Sequence, residues 1–390
     1  MQKIYESQEK GVQTPGIRRA IKDYASVFPI PITSSSTTIQ NPIQRILIYR
    51  VGNLGDTVCT IPAMVAIRNR FPHAWIGLLT NKETQGKPDP EDILKNNDFI
   101  DKIFTYKVKK IYEFGYLWNL LKKLRSLRID LLVYFSLSKS SRQRLIRDWF
   151  FFNSTGCRRL VGFKLPKPVK TFRENDITTP VFPREVERLM TLVEPLGIDP
   201  KNIEFRLPIG ENDKRAVDIL WNRYALQGKT PIVAICPDSK FPVNRWRISH
   251  FAQVASILNE KFGAAIIILG GPGQKKPRED ILIKAGNSIV NLIGKTNYME
   301  AAEIISRCNL LVSNDTGLVH AAAAVGTSVV GIYSSRNFPG AWHPWGDGHT
   351  ILRDDSAQCR FCFKTECETK ECINNITVEH VIDACSAYLT

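Results

Sequence analysis

An alternation of strand-length apolar runs and helix-spaced segments occurs twice along these 390 residues, and few folds accommodate it. In the first series Ile46 to Val51 reads as a buried strand and a glycine loop follows. Thr57 to Phe71 then carries apolar residues at helical spacing, and Trp75 to Leu79 is the next strand. Parallel strands need a crossover, usually a helix, so strand, helix, strand implies a parallel sheet. Ile103 to Tyr106, Leu131 to Phe135 and Arg159 to Phe163 continue the strands, with a basic helix around Tyr116 to Arg128. A helix from Asn212 to Leu226 opens the second series. Its strands are Ile232 to Cys236, Ala265 to Gly270, Ile289 to Ile293, Leu310 to Ser313 and Ser328 to Tyr333; its helices are Ser249 to Phe262, Met299 to Arg307 and Gly317 to Val325. The expected architecture is two doubly wound, Rossmann-like α/β domains, residues 43–208 and 209–390, facing a central cleft. Open α/β sheets bind ligands there, at the carboxyl ends of their strands. Residues 1–42, with a Ser/Thr-rich stretch from Thr33 to Thr38 between proline-containing segments, read as an extension.

The apolar runs Ala264 to Leu269 and Ser328 to Tyr333 fall far short of the roughly 20 residues that span a bilayer. Met1 to Lys10 lacks the apolar stretch of a secretory signal, and nine cysteines, most of them scattered, do not suggest a disulfide framework. A cytoplasmic protein is expected. Lysine and arginine exceed aspartate and glutamate by 53 to 38, a formal charge of +15 that favours anionic partners without naming one.

Two loops carry chemistry. Val51-Gly52-Asn53-Leu54-Gly55-Asp56-Thr57 joins a strand to a helix, so Gly52 and Gly55 permit a tight turn, and N–H groups at the helix start can face an anion. It is neither a Walker loop nor the dinucleotide fingerprint. Asp56 has two readings, a helix N-cap or a functional carboxylate at the end of a strand. The second loop, Ser313-Asn314-Asp315-Thr316-Gly317-Leu318-Val319-His320, leads into an alanine-rich helix. Asp315 and Thr316 supply hydrogen-bonding groups, Gly317 admits a ligand to the backbone, and the helix N-terminus suits a phosphate. A lone Asp-Thr-Gly in an α/β context is not an aspartic protease, which needs two. His320 reads more readily as a packed or capping histidine than as a catalytic one.

Taken together, Gly55-Asp56, Asn244-Arg245-Trp246 after Cys236-Pro237, Gly270-Gly271-Pro272, Asn291 to Thr296 and Ser313 to His320 resemble glycosyltransferase family 9, the heptosyltransferases. The resemblance runs from about Arg45 to the C-terminus with the motifs in order. It implies a GT-B fold with an N-terminal acceptor domain and a C-terminal nucleotide-sugar donor domain. It also implies inverting, metal-independent transfer of heptose or a related sugar, from an ADP-heptose-like donor to lipopolysaccharide or another envelope glycan or glycolipid. By position Asp56 matches the general base, and Ser239, Lys240, Asn244, Arg245, Gln274, Asp315, Thr316, Gly317 and His320 match the donor pocket. Two positions depart from the family pattern: Asn244 stands where a lysine is usual, and Gln274 where an acidic residue is usual.

Cys359, Cys362, Cys367 and Cys372 are spaced so that four thiolates can surround one zinc ion or an iron–sulfur cluster, in a loop over 359–372. A structural metal and free or disulfide-linked thiols are both open readings. Lys122, Lys123, Arg125, Arg128, Arg142, Arg144 and Arg147, with Trp149 to Phe152, suit peripheral contact with anionic lipid at the inner face of the cytoplasmic membrane, or else form a solvated helix face over core aromatics. The rival functions are a nucleotide-sugar epimerase or hydrolase of the same architecture, and a basic nucleic-acid-binding protein. No RNP, zinc-finger or helix-turn-helix signature supports the latter, so no nucleic acid is expected.

Overall fold

A computed structural model describes residues 43–389 except 83–88, 138–139, 166, 169, 175–176 and 273–288. The extension over 1–42 and Gln274 therefore lie outside the described residues. The described chain divides into two units, residues 43–169 with 182–208, and residues 209–389 with the 170–181 segment.

The first unit begins with β1 (Arg45–Arg50), α1 (Leu54–Arg70), β2 (Trp75–Asn81), the short α2 (Pro90–Leu94) and β3 (Lys102–Tyr106). It continues through α3 (Phe114–Ser126), β4 (Leu131–Phe135), α4 (Arg142–Asn153) and β5 (Arg159–Val161), and later resumes with a helix at Glu185–Val193. All its strands are parallel, in the order β3-β2-β1-β4-β5. Ile46, Leu47 and Ile48 are essentially sealed from water, as a central strand covered on both faces requires. One face packs Leu47, Tyr49, Leu132 and Tyr134 under Leu124 of α3 and Leu145 and Phe152 of α4.

The antiparallel hairpin β6 (Lys170–Glu174) and β7 (Ile177–Val181), which groups with the second unit, precedes α5 (Glu185–Val193) of the first. The second unit runs α6 (Glu211–Arg223), β8 (Ile232–Cys236), α7 (Ile248–Phe262), β9 (Ala265–Ile268), β10 (Ile289–Asn291) and α8 (Tyr298–Ser306). It ends with β11 (Leu310–Asn314), α9 (Gly317–Val325), β12 (Ser328–Tyr333), β13 (His349–Arg353), α10 (Glu371–Asn374) and α11 (Val378–Leu389). Its sheet is parallel throughout, in the order β10-β9-β8-β11-β12-β13. Val233, Ile235, Ile268, Val312 and Ile332 form the core with Trp246, Phe251 and Val381.

In each sheet the chain starts in the middle, works to one edge, and returns to build the other. The reversals fall between β1 and β4 in one unit and between β8 and β11 in the other. At such a switch point the loops leaving the two strands diverge to opposite faces and leave a hollow at the carboxyl ends. The strand β13, the hairpin, α4 and α5 were not expected from the sequence. β13 is half-buried along its whole length, so no apolar run marks it.

Candidate functional site

The carboxyl ends of β1 and β4 hold a buried polar knot. Asn53, in extended conformation, is the N-cap of α1, so the helix begins before Thr57 and Asp56 is its third residue rather than its cap. Asp56 Oδ2 accepts the backbone N–H of Asn53 at 2.8 Å, the returning half of a capping box. Its Oδ1 accepts from Arg50 Nη2 at 2.9 Å. Asp56 is thus not the N-cap but the N3 partner of the capping box, and its other oxygen meets a buried guanidinium.

Arg50 ends β1 with 1% of its surface exposed and also donates to Glu185 Oε1 at 3.0 Å and to the carbonyl of Ser136, just after β4, at 3.1 Å. Arg188, one turn along α5, grips both oxygens of Glu185 at 2.7 and 2.8 Å. Glu185 thus faces two guanidinium groups, and they hold its carboxyl below the usual range even though burial alone would raise it. Asp56 shares only one of them. Burial pushes its carboxyl up, and Arg50 and the Asn53 N–H only partly offset this. A carboxylate whose affinity for a proton is raised by its surroundings suits a general base.

Gly52 packs directly against this group. Its N–H donates to Asn81 Oδ1 at 2.8 Å, and a Cβ built on it would stand 2.4 Å from Asp56 Cβ. No other residue fits that turn without moving the carboxylate. Gly55 occupies the first turn of α1.

At the other switch point, the loops after β8, β11 and β12 meet. Ser239 Oγ donates to the Asp315 carbonyl at 2.7 Å, and Asn244 Nδ2 donates to Asp315 Oδ2 at 2.9 Å. Asn244, 2% exposed, also accepts from Ser334 Oγ at 2.6 Å, which fixes its amide between the two loops. Arg245 pairs with Asp238 at 3.0 Å and donates to the Ser239 carbonyl. Trp246 is buried with its backbone N–H on Asn314 Oδ1, and Asn314 in turn donates to the Pro237 carbonyl. Asp315, Thr316 and Gly317 stay half-exposed at the start of α9, with Thr316 as its N-cap and the Gly317 carbonyl tied to the Tyr298 hydroxyl. Lys240 is exposed at the rim, 5.9 Å from the Phe241 ring centre.

The structure thus gathers Ser239, Lys240, Asn244, Arg245, Asp315, Thr316 and Gly317 at one strand-end cluster, and distributes them unequally. Ser239 and Asn244 brace Asp315 from beneath, whereas Asp315, Thr316, Gly317 and Lys240 face outward. His320 is buried, with its ring centre 6.1 Å from that of Trp342. Arg50, Glu185, Arg188, Ser334 and Arg336 escaped the sequence reading. Arg50 had left a signal, as a lone cation at the end of an apolar run; the others had none. Arg336 lies 4.6 Å over the Phe241 ring and donates to the Phe363 and Lys364 carbonyls, which ties the cysteine loop to the β12 loop.

The model of glycosyltransferase family 9 (heptosyltransferase) matches residues 161–373, more than half of the chain. The chain belongs to that family. The match spans all of the β8, β11 and β12 loops and leaves the Asp56 loop before it. Lipooligosaccharide heptosyltransferase 2 of Haemophilus influenzae is 36% identical over 134 residues, 33% of this chain and 38% of that protein. The chain thus aligns with well under half the length of this family 9 relative. Among solved structures, a glycosyl transferase family 9 protein from Veillonella parvula superposes with a TM-score of 0.68 at 19% identity, covering 89% of this chain and 97% of that one. ADP-heptose lps heptosyltransferase II of E. coli gives 0.63 at 20%, covering 89% and 98%. These likenesses bear on the fold, two parallel α/β units of the GT-B type.

In this family 9 chain all nine cysteines are free, and among the described residues no three of His, Cys, Asp or Glu are placed to hold a metal ion. Cys359, Cys362 and Cys367 are half-exposed, while Cys372 and the remaining five are buried. Titration of the native protein with a thiol reagent is expected to consume three thiols quickly and all nine after denaturation. Protection of the three together with a stoichiometric metal in elemental analysis would instead establish a metal centre there.

Proposed function

We propose that the chain transfers heptose or a closely related sugar from an ADP-sugar to lipopolysaccharide or a similar envelope glycolipid. Inversion at the anomeric carbon and independence from metal are part of the reading. Its main support is Asp56, a carboxylate made proton-hungry by burial and set at the switch point of the first unit in a family 9 chain. In the reaction Asp56 takes the proton of an acceptor hydroxyl as that oxygen bonds to the anomeric carbon. The bond from that carbon to the diphosphate breaks, and the nucleotide diphosphate departs with the electron pair. A single displacement of this kind inverts the carbon.

The donor's pyrophosphate is assigned to the N-terminus of α9 beside Thr316 and Gly317, with Lys240 at the rim. Backbone N–H groups and a nearby cation stabilise the leaving diphosphate, the work that a divalent metal performs elsewhere. Asn244, where the family usually has lysine, has its amide committed to Asp315 and Ser334, so the phosphate charge falls to Lys240. An acceptor that is a glycolipid and a donor made in the cytoplasm place the reaction at the inner face of the cytoplasmic membrane.

The test is transfer of heptose from ADP-heptose to a heptose-deficient lipopolysaccharide core, unaffected by a chelator, with the product's anomeric configuration read by NMR. Release of free sugar without transfer would favour the hydrolase or epimerase reading. ADP-heptose is expected to raise the melting temperature, because it binds only the folded state. Asp315→Ala is expected to weaken that binding by about tenfold, the effect of losing one hydrogen bond to a charged group.

A further inference from the structure

Seven large apolar side chains are exposed among the described residues, and six of them lie between 108 and 150: Val108, Tyr112, Phe114, Trp118, Ile146 and Phe150. Tyr112 is 83% exposed and Phe114 81%. Such crowding on one stretch of a soluble unit marks a contact surface rather than ordinary scatter. The inner sides of α3 and α4 explain which way these residues face. Leu124, Leu145 and Phe152 pack on one core with Tyr116, Leu120 and Leu127, so the remaining side of α3 looks away from the sheet.

On that side Phe114, Trp118 and Lys122 follow at four-residue spacing and form a stripe. The Phe114 and Trp118 rings stack with centres 6.4 Å apart, and the Lys122 ammonium lies 5.5 Å from the Trp118 ring centre. The 3₁₀ turn Val108–Tyr112 that leads into the helix adds Tyr112 with Lys109 and Lys110. From Lys102 to Ile129 the sequence holds eight lysines and arginines against the single acid Glu113, which pairs with Lys110 at 3.5 Å.

The composition of the patch identifies its partner. Cores of protein interfaces are enriched in aromatic residues and arginine but depleted of lysine. Aromatic rings ringed by lysines, almost without acids, match the headgroup layer of an anionic bilayer. Rings settle there at the level of the glycerol backbone while ammonium groups reach lipid phosphates. The sequence pattern had put the aromatic part at Trp149 to Phe152, but Phe152 is buried and Trp149 and Phe151 are half-buried, which leaves Phe150 alone outward.

We propose that the outer face of α3 and the turn before it form a membrane-docking surface for anionic lipid, with Tyr112, Phe114 and Trp118 inserted and Lys107, Lys109, Lys110 and Lys122 on the headgroups. None of these residues belongs to the Asp56 knot or the α9 loop, and the test of the surface does not depend on the transferase reading.

Co-sedimentation of the full chain with vesicles of phosphatidylglycerol and phosphatidylcholine, against phosphatidylcholine alone, measures it directly. Binding at least about tenfold stronger to the anionic vesicles, falling with added salt, is expected. Phe114→Ser with Trp118→Ser is expected to lower that binding about tenfold while the circular dichroism and melting temperature stay unchanged, since neither side chain is in the core. Lys109→Glu with Lys122→Glu is expected to erase the preference for anionic lipid. A fluorescence blue shift on adding the anionic vesicles should be lost in Trp118→Phe. Equal binding to both vesicles, no binding, or undiminished binding by the Phe114/Trp118 double variant would overturn the proposal. So would a concentration-dependent dimer that the double variant abolishes in the absence of any vesicle binding.

Discussion

Asp56→Asn is expected to lower kcat for sugar transfer by about a thousandfold, in the middle of the range measured when a general base is removed. The KM for the donor should change little, because the donor is assigned to the α9 loop. Folding should survive. The amide oxygen of asparagine can still accept the Asn53 N–H, and Arg50 keeps Glu185 and the Ser136 carbonyl. The sign of the pKa shift strengthens this expectation. A carboxyl whose folded pKa lies above its unfolded value contributes stability below the unfolded pKa, and that contribution is lost as pH rises through the folded pKa. Above the folded pKa the ionised Asp56 is therefore a burden on the fold, and there a neutral asparagine should leave the melting temperature equal or higher. The acid limb of the wild-type pH–rate profile should report the same raised carboxyl, with kcat falling as Asp56 gains its proton. A variant that transfers sugar at the wild-type rate, or that melts far below it, would show that Asp56 is a structural cap and nothing more.

How much of this was readable in the residues differs between fold and site. Both parallel sheets were legible because their central strands are covered on two faces, and a doubly covered strand is written as an uninterrupted run such as Ile46 to Tyr49 or Leu310 to Val312. Elements that bury only one side were missed: β13 shows no sealed residue, and α4 mixes arginines with aromatics at both faces. In the second unit the site was largely visible, since Asp315, Thr316 and Gly317 lie consecutively at a strand end. The scaffolding beneath was not, because Ser334 is bonded to Asn244 across 90 residues and nothing local announces the pairing. The same holds for Asp56. Its position at the end of the glycine loop could be read, but its proton affinity is raised chiefly by burial, with a smaller push from Glu185, which arrives from 129 positions later on a helix with no distinctive pattern. Local sequence encodes the strand end; the electrostatics come from what the topology stacks against it.

Glu185 carries the largest expected effect on stability. It is 1% exposed and is the carboxylate that Arg50 and Arg188 share. Glu185→Ala leaves Arg188 with only the Ser136 hydroxyl and carbonyl, and Arg50 with Asp56 and the Phe135 and Ser136 carbonyls. Breaking a buried ion pair by removing one partner costs about 3–5 kcal/mol, since the other charge stays buried without compensation. At roughly 2–4 °C per kcal/mol for a unit of this size, the melting temperature should fall by about 10 °C. Removing a second charge should help: Glu185→Gln combined with Arg188→Met is expected to recover part of what Glu185→Gln loses, because no cation is then stranded beside the neutral amide. The pH dependence has the sign opposite to that of Asp56. Glu185 has a depressed folded pKa, so its contribution is present above the unfolded value and is lost as pH falls through the folded one. Wild-type protein should therefore lose stability on acidification in a range where Glu185→Gln stays flat. The same substitution reaches the chemistry, because the Glu185 charge helps keep the Asp56 carboxyl high. Without it Arg50 acts on Asp56 alone, the acid limb of kcat moves to lower pH, and the base weakens. Calorimetry and a pH–rate profile on Glu185→Gln separate the two effects, and an unmoved acid limb would mean that Glu185 serves the fold without tuning Asp56.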